Sequence, residues 1–354
     1  MSPDPPSIAF GELKVDALLV SALPNIRYLS GFTGDNALLL LSPESSTLYT
    51  DPRFTIQAAD ECTCPVQTVT KGPLDAAVVA SIQRKKWKRI GFEGSRMLFE
   101  TYQRIKSALR SGASLKPLAP VVEKLRMIKS PEEIERIRRS VLTNSKAFEK
   151  TIGSIRPGVS ESSIAGELEY RMRRLGAEKA AFDTIVAFGA RAALPHARPT
   201  AARLSNGELV LIDMGSCQDG YMSDMTRVVF LGRPSNRLRK MYGAVAKAQL
   251  AAINAVRPGV TAAHVDRQAR KVLETEGLGK AFVHSTGHGL GLEIHELPRL
   301  GKRDKTRLEP GMAITIEPGA YIRDFGGIRI EDTVLVTQSG CEILTPTSKE
   351  LMVL

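Results

Sequence analysis

The chain has 354 residues, 43% of them apolar and 25% charged, with 29 Gly and 20 Pro spread along it. That length calls for a large core and two domains, and the composition excludes collagen-like and disordered classes. A formal net charge of +11 raises the question of an anionic partner, yet the basic residues come in short clusters and aromatics make up only 5%, which leaves no stacking platform for nucleic acid.

Residues 1–10 carry several prolines and an aspartate, with neither the basic nor the apolar region of a secretory signal, so a cytoplasmic location is expected. No uncharged apolar run approaches the roughly 18 residues that span a bilayer. Between residues 15 and 120, short apolar runs (15–21, 37–41, 47–50 and 88–92) alternate with helical stretches (76–86 and 101–111), which predicts a small three-layer α/β domain. Cys62 and Cys64 have one residue between them, the wrong spacing for zinc and redox motifs, so all four cysteines are read as reduced.

Ser130-Pro131-Glu132-Glu133 joins an N-cap serine, a proline at the first helical position and a carboxylate three residues on, predicting a helix to about Ile155. The domain boundary is placed between residues 122 and 129, giving domains 1–124 and 125–354.

The second domain repeats itself. Arg156-Pro157-Gly158-Val159-Ser160 recurs as Arg257-Pro258-Gly259-Val260-Thr261, each copy ending in a residue suited to cap a helix. The apolar stripe Ile164, Leu168, Met172 then falls on Val265, Ala269, Leu273, and each helix stops at a glycine, Gly176 or Gly277. Further on, the apolar run ending at Asp213 matches the one ending at Glu317, with glycine two residues later in both. A pseudo-twofold relating these halves brings carboxylate-bearing strands to one centre.

Asp213 and Asp224 flank a turn expected at Gln218–Asp219, which makes them directly opposed on a hairpin, about 5 Å apart at Cβ. Carboxylates that close repel unless a cation sits between them, and hard divalent ions take oxygen ligands. Glu317 is the repeat counterpart of Asp213, and Glu331 roughly that of Asp224. With His288 from Thr286-Gly287-His288-Gly289, four carboxylates and an imidazole suit two bridged ions better than one. His264, on the polar face of the helix that follows the second copy, is read as surface.

The order Asp213, Asp224, His288, Glu317, Glu331, set among Leu194-Pro195-His196, His295-Glu296-Leu297-Pro298 and Gly327-Ile328-Arg329-Ile330-Glu331-Asp332, resembles the pita-bread metallopeptidases of the Xaa-Pro aminopeptidase and Xaa-Pro dipeptidase branch. The first 120 residues, with Arg27 to Gly34 and Tyr49-Thr50-Asp51-Pro52-Arg53, resemble the creatinase-type N-terminal domain of that branch. The resemblance implies a mixed α/β (α+β) chain with a C-terminal pita-bread catalytic domain. It also implies two metal ions held by Asp213, Asp224, His288, Glu317 and Glu331, with manganese first and cobalt or zinc as alternatives.

By the same resemblance Glu317 acts as general base and then acid, passing a proton to the leaving proline nitrogen. His196 and His295 stabilise the oxyanion and hold substrate. His284 faces the cleft, Arg329 buffers the carboxylates from the strand that carries Glu331, and Arg299 is a candidate for a substrate carboxylate. Gly189-Ala190-Arg191 departs from the family's frequent glycine, any residue, asparagine. The expected substrate is a peptide with proline in second position, cleaved by a homodimer that binds neither nucleic acid nor membrane. The aminopeptidase reaction on longer peptides is favoured slightly over the dipeptidase reaction. The rivals are a non-catalytic pita-bread binding protein, which would have lost ligands, and metal-free creatine hydrolysis on the same fold.

Overall fold

The computed structural model describes residues 8–354. The first seven residues, and with them most of the segment read as lacking a secretory signal, lie outside the described residues. Among the described residues no helix is long and apolar enough to cross a membrane. The described residues form two compact units, divided between Arg126 and Met127.

The N-terminal unit is built on a six-stranded mixed sheet in the order Val66–Thr68, Ser46–Thr50, Ala37–Leu41, Ala17–Val20, Arg89–Glu93, Ser114–Leu118. Its central strand Ala17–Val20 is buried at every position, and alternation splits it between two cores. Ala17 and Leu19 pack with Val78, Val79, Ile82 and Ile105 of the helices Leu74–Lys85 and Phe99–Ala108. Leu18 and Val20 pack on the other face with Ile26, Phe32 and Ala58. This is the three-layer arrangement the alternation predicts. The strand Ser114–Leu118 was not predicted, because Pro117 interrupts it and its residues are mostly exposed. At the sheet's edge a proline removes no needed ladder bond.

The C-terminal unit opens with helix Pro131–Thr151, begun by the expected capping box: Ser130 Oγ accepts from Glu133 N at 3.2 Å, and Glu133 Oε2 accepts from Ser130 N at 2.9 Å. The repeat is physical. Helices Glu161–Arg174 and Ala262–Thr275 bury Ile164, Leu168, Met172 and Val265, Ala269, Leu273. The turn before each makes the same bonds: Gly158 N and Gly259 N donate to the carbonyls of Leu204 and Leu308, both at 2.8 Å. Arg203 and Arg307 in turn donate to the carbonyls of Gly158 and Gly259 at 2.7 and 2.6 Å.

Hairpin register is where the expectation fails. The turn residues are Asp219 and Gly220, both at positive φ (51° and 79°), the pair a type I′ turn requires. Gln218 therefore pairs with Tyr221, and Asp213 with Thr226. Asp224 lies two residues from the expected position, on the same face but diagonal to Asp213. In the second half Ile316 pairs with Asp332 and Gly319 with Arg329, which sets Glu317 opposite Glu331. The repeat counterpart of Glu331 is thus Thr226, and that of Asp224 is the cation Arg329. The pseudo-twofold holds for the backbone and is broken in the chemistry.

Candidate metal centre

Strands Leu209–Met214 and Met225–Phe230 are buried at every position. Their apolar neighbours carry Asp213 and Asp224, just ahead of the second strand, out of solvent, 8% and 6% exposed. Glu331, 1% exposed, follows strand Gly326–Arg329, and Glu317 follows the fully buried strand Ala313–Ile316. His288 sits in the short strand Gly287–Gly289, squeezed between two neighbours: a Cβ at Gly287 would stand 1.9 Å from the Thr315 carbonyl oxygen, and one at Gly289 2.2 Å from that of Leu297. Glycine on both sides is what lets the imidazole enter.

His288 Nε2 stands 3.6 Å from Asp224 Oδ2 and 3.5 Å from Glu317 Oε1, beyond good hydrogen-bond length. Single ligand atoms of Asp224, His288 and Glu331 lie within 4.8 Å of one another. Asp213 Oδ1, Asp224 Oδ1 and Glu331 Oε1 are each buried without a hydrogen-bond partner. Orphaned buried acceptors are costly and rare, and three around one imidazole form a cage that a cation would satisfy. An oxygen-rich set with one nitrogen suits manganese, cobalt or zinc. The residues present therefore fit divalent metal ions.

The electrostatics point the same way. Burial, then Glu331, Asp213 and Glu317, push the Asp224 carboxyl well above its ordinary range. Burial, then Glu317 and Asp213, do the same to Glu331. Burial raises Glu317 to about 7 against the opposing pull of Arg329. Burial lowers His288, keeping its imidazole neutral as a metal ligand must be.

Arg329 is the cation the chain itself provides. At 3% exposed, it donates to Asp213 Oδ2 at 2.5 Å, Thr226 Oγ1 at 3.0 Å, Tyr321 Oη at 2.6 Å and the Pro195 carbonyl at 3.2 Å. Its place beside the carboxylates is as expected from the sequence. Thr226 hands the network on, donating to Glu331 Oε2 at 2.7 Å.

Three further histidines, His295, His284 and His196, lie by the same centre. The His295 ring meets that of His288 edge-on at 4.5 Å, and burial, then His288, lowers it. His284 bonds Tyr321 Oη through Nε2 at 2.9 Å, and burial, then Arg329, holds it down at about 4. His196 is exposed, within electrostatic reach of Glu317, His284 and His295. Arg299 is exposed and is the cross-strand partner of His288, so both project from one face of the sheet. His264 lies apart, half-buried, with Nε2 3.5 Å from Gln268.

Sequence reasoning missed Thr226, Tyr321 and Arg227. Arg227 Nη1 donates to the Thr226 carbonyl at 3.0 Å and to the Glu331 carbonyl at 2.5 Å, while its Nη2 pairs with buried Asp332 at 2.8 Å, fixing the backbone that carries a candidate ligand. The Asp219-Gly220 turn would have found Thr226, because an Asp-Gly pair sets the register. Tyr321 had no such signal.

Two family models match the chain: Metallopeptidase family M24 over residues 135–338 and the Creatinase/Prolidase N-terminal domain over residues 9–128. An Xaa-Pro dipeptidase of Pyrococcus horikoshii is 38% identical over 96% of this chain and 95% of its own. Among solved structures, an Xaa-Pro dipeptidase from Bacillus anthracis superposes with TM-score 0.95 at 39% identity, covering 98% of this chain and 97% of that one. An X-Pro aminopeptidase from Thermotoga maritima gives TM-score 0.90 at 37% identity, covering 97% and 99%.

Proposed function

Because the chain belongs to metallopeptidase family M24, we propose that it is an Xaa-Pro dipeptidase, hydrolysing the bond before proline in dipeptides. The observation that carries the reading is the buried cage of Asp213, Asp224, Glu331 and His288, whose orphaned oxygens call for cations. The slight preference for longer peptides drawn from the sequence gives way here, since the dipeptidase relatives at 38–39% identity span nearly the whole chain.

Asp213, Asp224, His288, Glu317 and Glu331 would hold two divalent ions, with manganese taken first. When bound, such ions would polarise the scissile carbonyl and acidify the attacking water. Glu317, at the mouth of the cage with its side chain 16% exposed, takes the proton of that water and delivers it to the proline nitrogen as the bond breaks. Of His196 and His295, both exposed at its rim, one donates to the developing oxyanion and the other holds the substrate. Arg299, beside His288 on the cleft face, captures the dipeptide's carboxylate, which a longer peptide would lack at that place. On this reading the protein works as a cytoplasmic homodimer.

Chelator-stripped protein is expected to cleave neither Ala-Pro nor Ala-Pro-Ala, and added manganese to restore cleavage with kcat/KM at least tenfold in favour of Ala-Pro. A reversed ratio would make it an aminopeptidase, and full activity in chelator would end the metallopeptidase reading. Arg299→Leu is expected to raise KM for Ala-Pro about 10–100-fold, the loss of one charge-assisted pair, with little change for Ala-Pro-amide. Equal effects on both substrates would remove Arg299 from carboxylate capture.

A further inference from the structure

The loop that carries Pro195 and His196 is tied at both ends to one buried carboxylate. Glu161, the first residue of helix Glu161–Arg174 and 0% exposed, accepts from Phe188 N at 3.0 Å, from Thr200 N at 2.9 Å and from Thr200 Oγ1 at 2.6 Å. Arg191, inside the loop, donates through Nε to both Glu161 oxygens at 3.0 and 3.1 Å, and through Nη2 to the Arg198 carbonyl at 2.9 Å. One guanidinium thus bridges the helix, the near half of the loop and the far half. The top of the loop rests on the metal centre, where the Pro195 carbonyl accepts from Arg329.

The second half of the repeat uses the same device. Asp266, 0% exposed on helix Ala262–Thr275, accepts from Thr286 N and Oγ1 at 3.1 and 2.9 Å and pairs with Arg270 at 2.6 Å. Arg270 then donates to the carbonyls of Phe282 and His284. In each half a helix-borne carboxylate with an arginine pins the segment bearing a histidine of the cleft.

We propose that Glu161 and Arg191 are a positioning pair that holds His196, here the one of the two rim histidines that donates to the oxyanion, in register with the scissile carbonyl; this rests on the peptidase reading above. The sequence marks Arg191 as a departure in a loop expected to touch substrate, whereas its side chain turns to the base of the loop. Without it Glu161 keeps its backbone donors, so the fold survives, but the chord across the loop is gone. A shift of about 1 Å in a group that must meet a transition state lowers rate by about 10²-fold.

Arg191→Ala is expected to lower kcat on Ala-Pro about 10–100-fold, with KM within about threefold and manganese affinity by calorimetry unchanged. Free guanidinium is expected to restore part of the rate. In a His196→Ala background the same substitution should cost nothing further, because it acts through His196. Hydrogen–deuterium exchange, which needs no substrate, is expected to rise over residues 188–200 in Arg191→Ala and to stay put elsewhere. Additive losses with His196→Ala, or unchanged loop exchange, would overturn the pair. If the wild-type protein cleaves no peptide with manganese, the peptidase reading fails, and the exchange result alone decides whether the pair holds the loop.

Discussion

Glu331→Gln is expected to abolish peptidase activity, by about 10³-fold or more, and at the same time to stabilise the metal-stripped protein at pH 8. The first effect follows from removing a carboxylate from the candidate cage, whose ions would supply several kcal/mol of transition-state stabilisation. The second follows from charge. Without ions, Asp224 and Glu331 are buried together and both have carboxyls pushed well above their ordinary range, and Glu317 is raised to about 7. A carboxyl whose folded value exceeds its unfolded one, about 4.5 for glutamate, leaves the fold at full strength below that pH. The stability is then lost as pH rises through the folded value. The stripped wild-type protein should therefore weaken between about pH 4.5 and pH 8, the Glu317 shift alone being on the order of 3 kcal/mol. Glutamine keeps an acceptor for Thr226 Oγ1 and carries no charge. The measurement is thermal unfolding in chelator at pH 5 and pH 8. A stripped Glu331→Gln protein no more stable than wild type at pH 8, relative to pH 5, would contradict the account, and manganese should reverse the order by stabilising wild type alone.

Arg329→Met should be the most damaging single change outside the candidate ligand set. The guanidinium is buried and makes bonds to Asp213, Thr226, Tyr321 and the Pro195 carbonyl. Methionine fills much of the volume and replaces none of the donors, leaving Asp213 a buried charge without its partner. Breaking such a pair from one side costs about 3–5 kcal/mol. Loss of a group that orients a metal-binding carboxylate lowers metal affinity about 10–100-fold. Arg329→Lys keeps the charge but has no planar fork to serve four acceptors, and should recover stability better than activity. Urea unfolding with and without manganese, with manganese calorimetry on both variants, reads these effects. Equal stability of the methionine variant and wild type in saturating manganese would refute the role.

Much of this was legible because the sequence repeats. Two copies of a five-residue turn, two matching apolar stripes and two strands ending in a carboxylate announced a pseudo-symmetric domain and its centre. Residues with a local cause were read in place: the Ser130 capping box, the helix stripes, His288 between two glycines. Alignment by pattern was good to about two residues, enough to collect Asp224 and Glu331 and too coarse to say which groups stand opposite each other. Pairing Glu331 with Asp224 as counterparts was the error, and it hid Thr226 and the substitution of a cation for a carboxylate at Arg329.

By itself the sequence determined what depends on neighbours along the chain: which segments are helical, where they start, which face is apolar, and that five candidate metal-binding side chains lie in or beside apolar strands. Register was decided by the fold, through the two positive-φ residues Asp219 and Gly220 and the ladder they launch. So was the company each charge keeps. Arg191 turns to Glu161, Arg227 to Asp332, and Arg329 to Asp213 and Tyr321, across separations of 30 to 116 residues, apart from Tyr321 eight residues away. A buried charge takes whichever partner the packed strands bring within 3 Å, and nothing local in the chain encodes that distance.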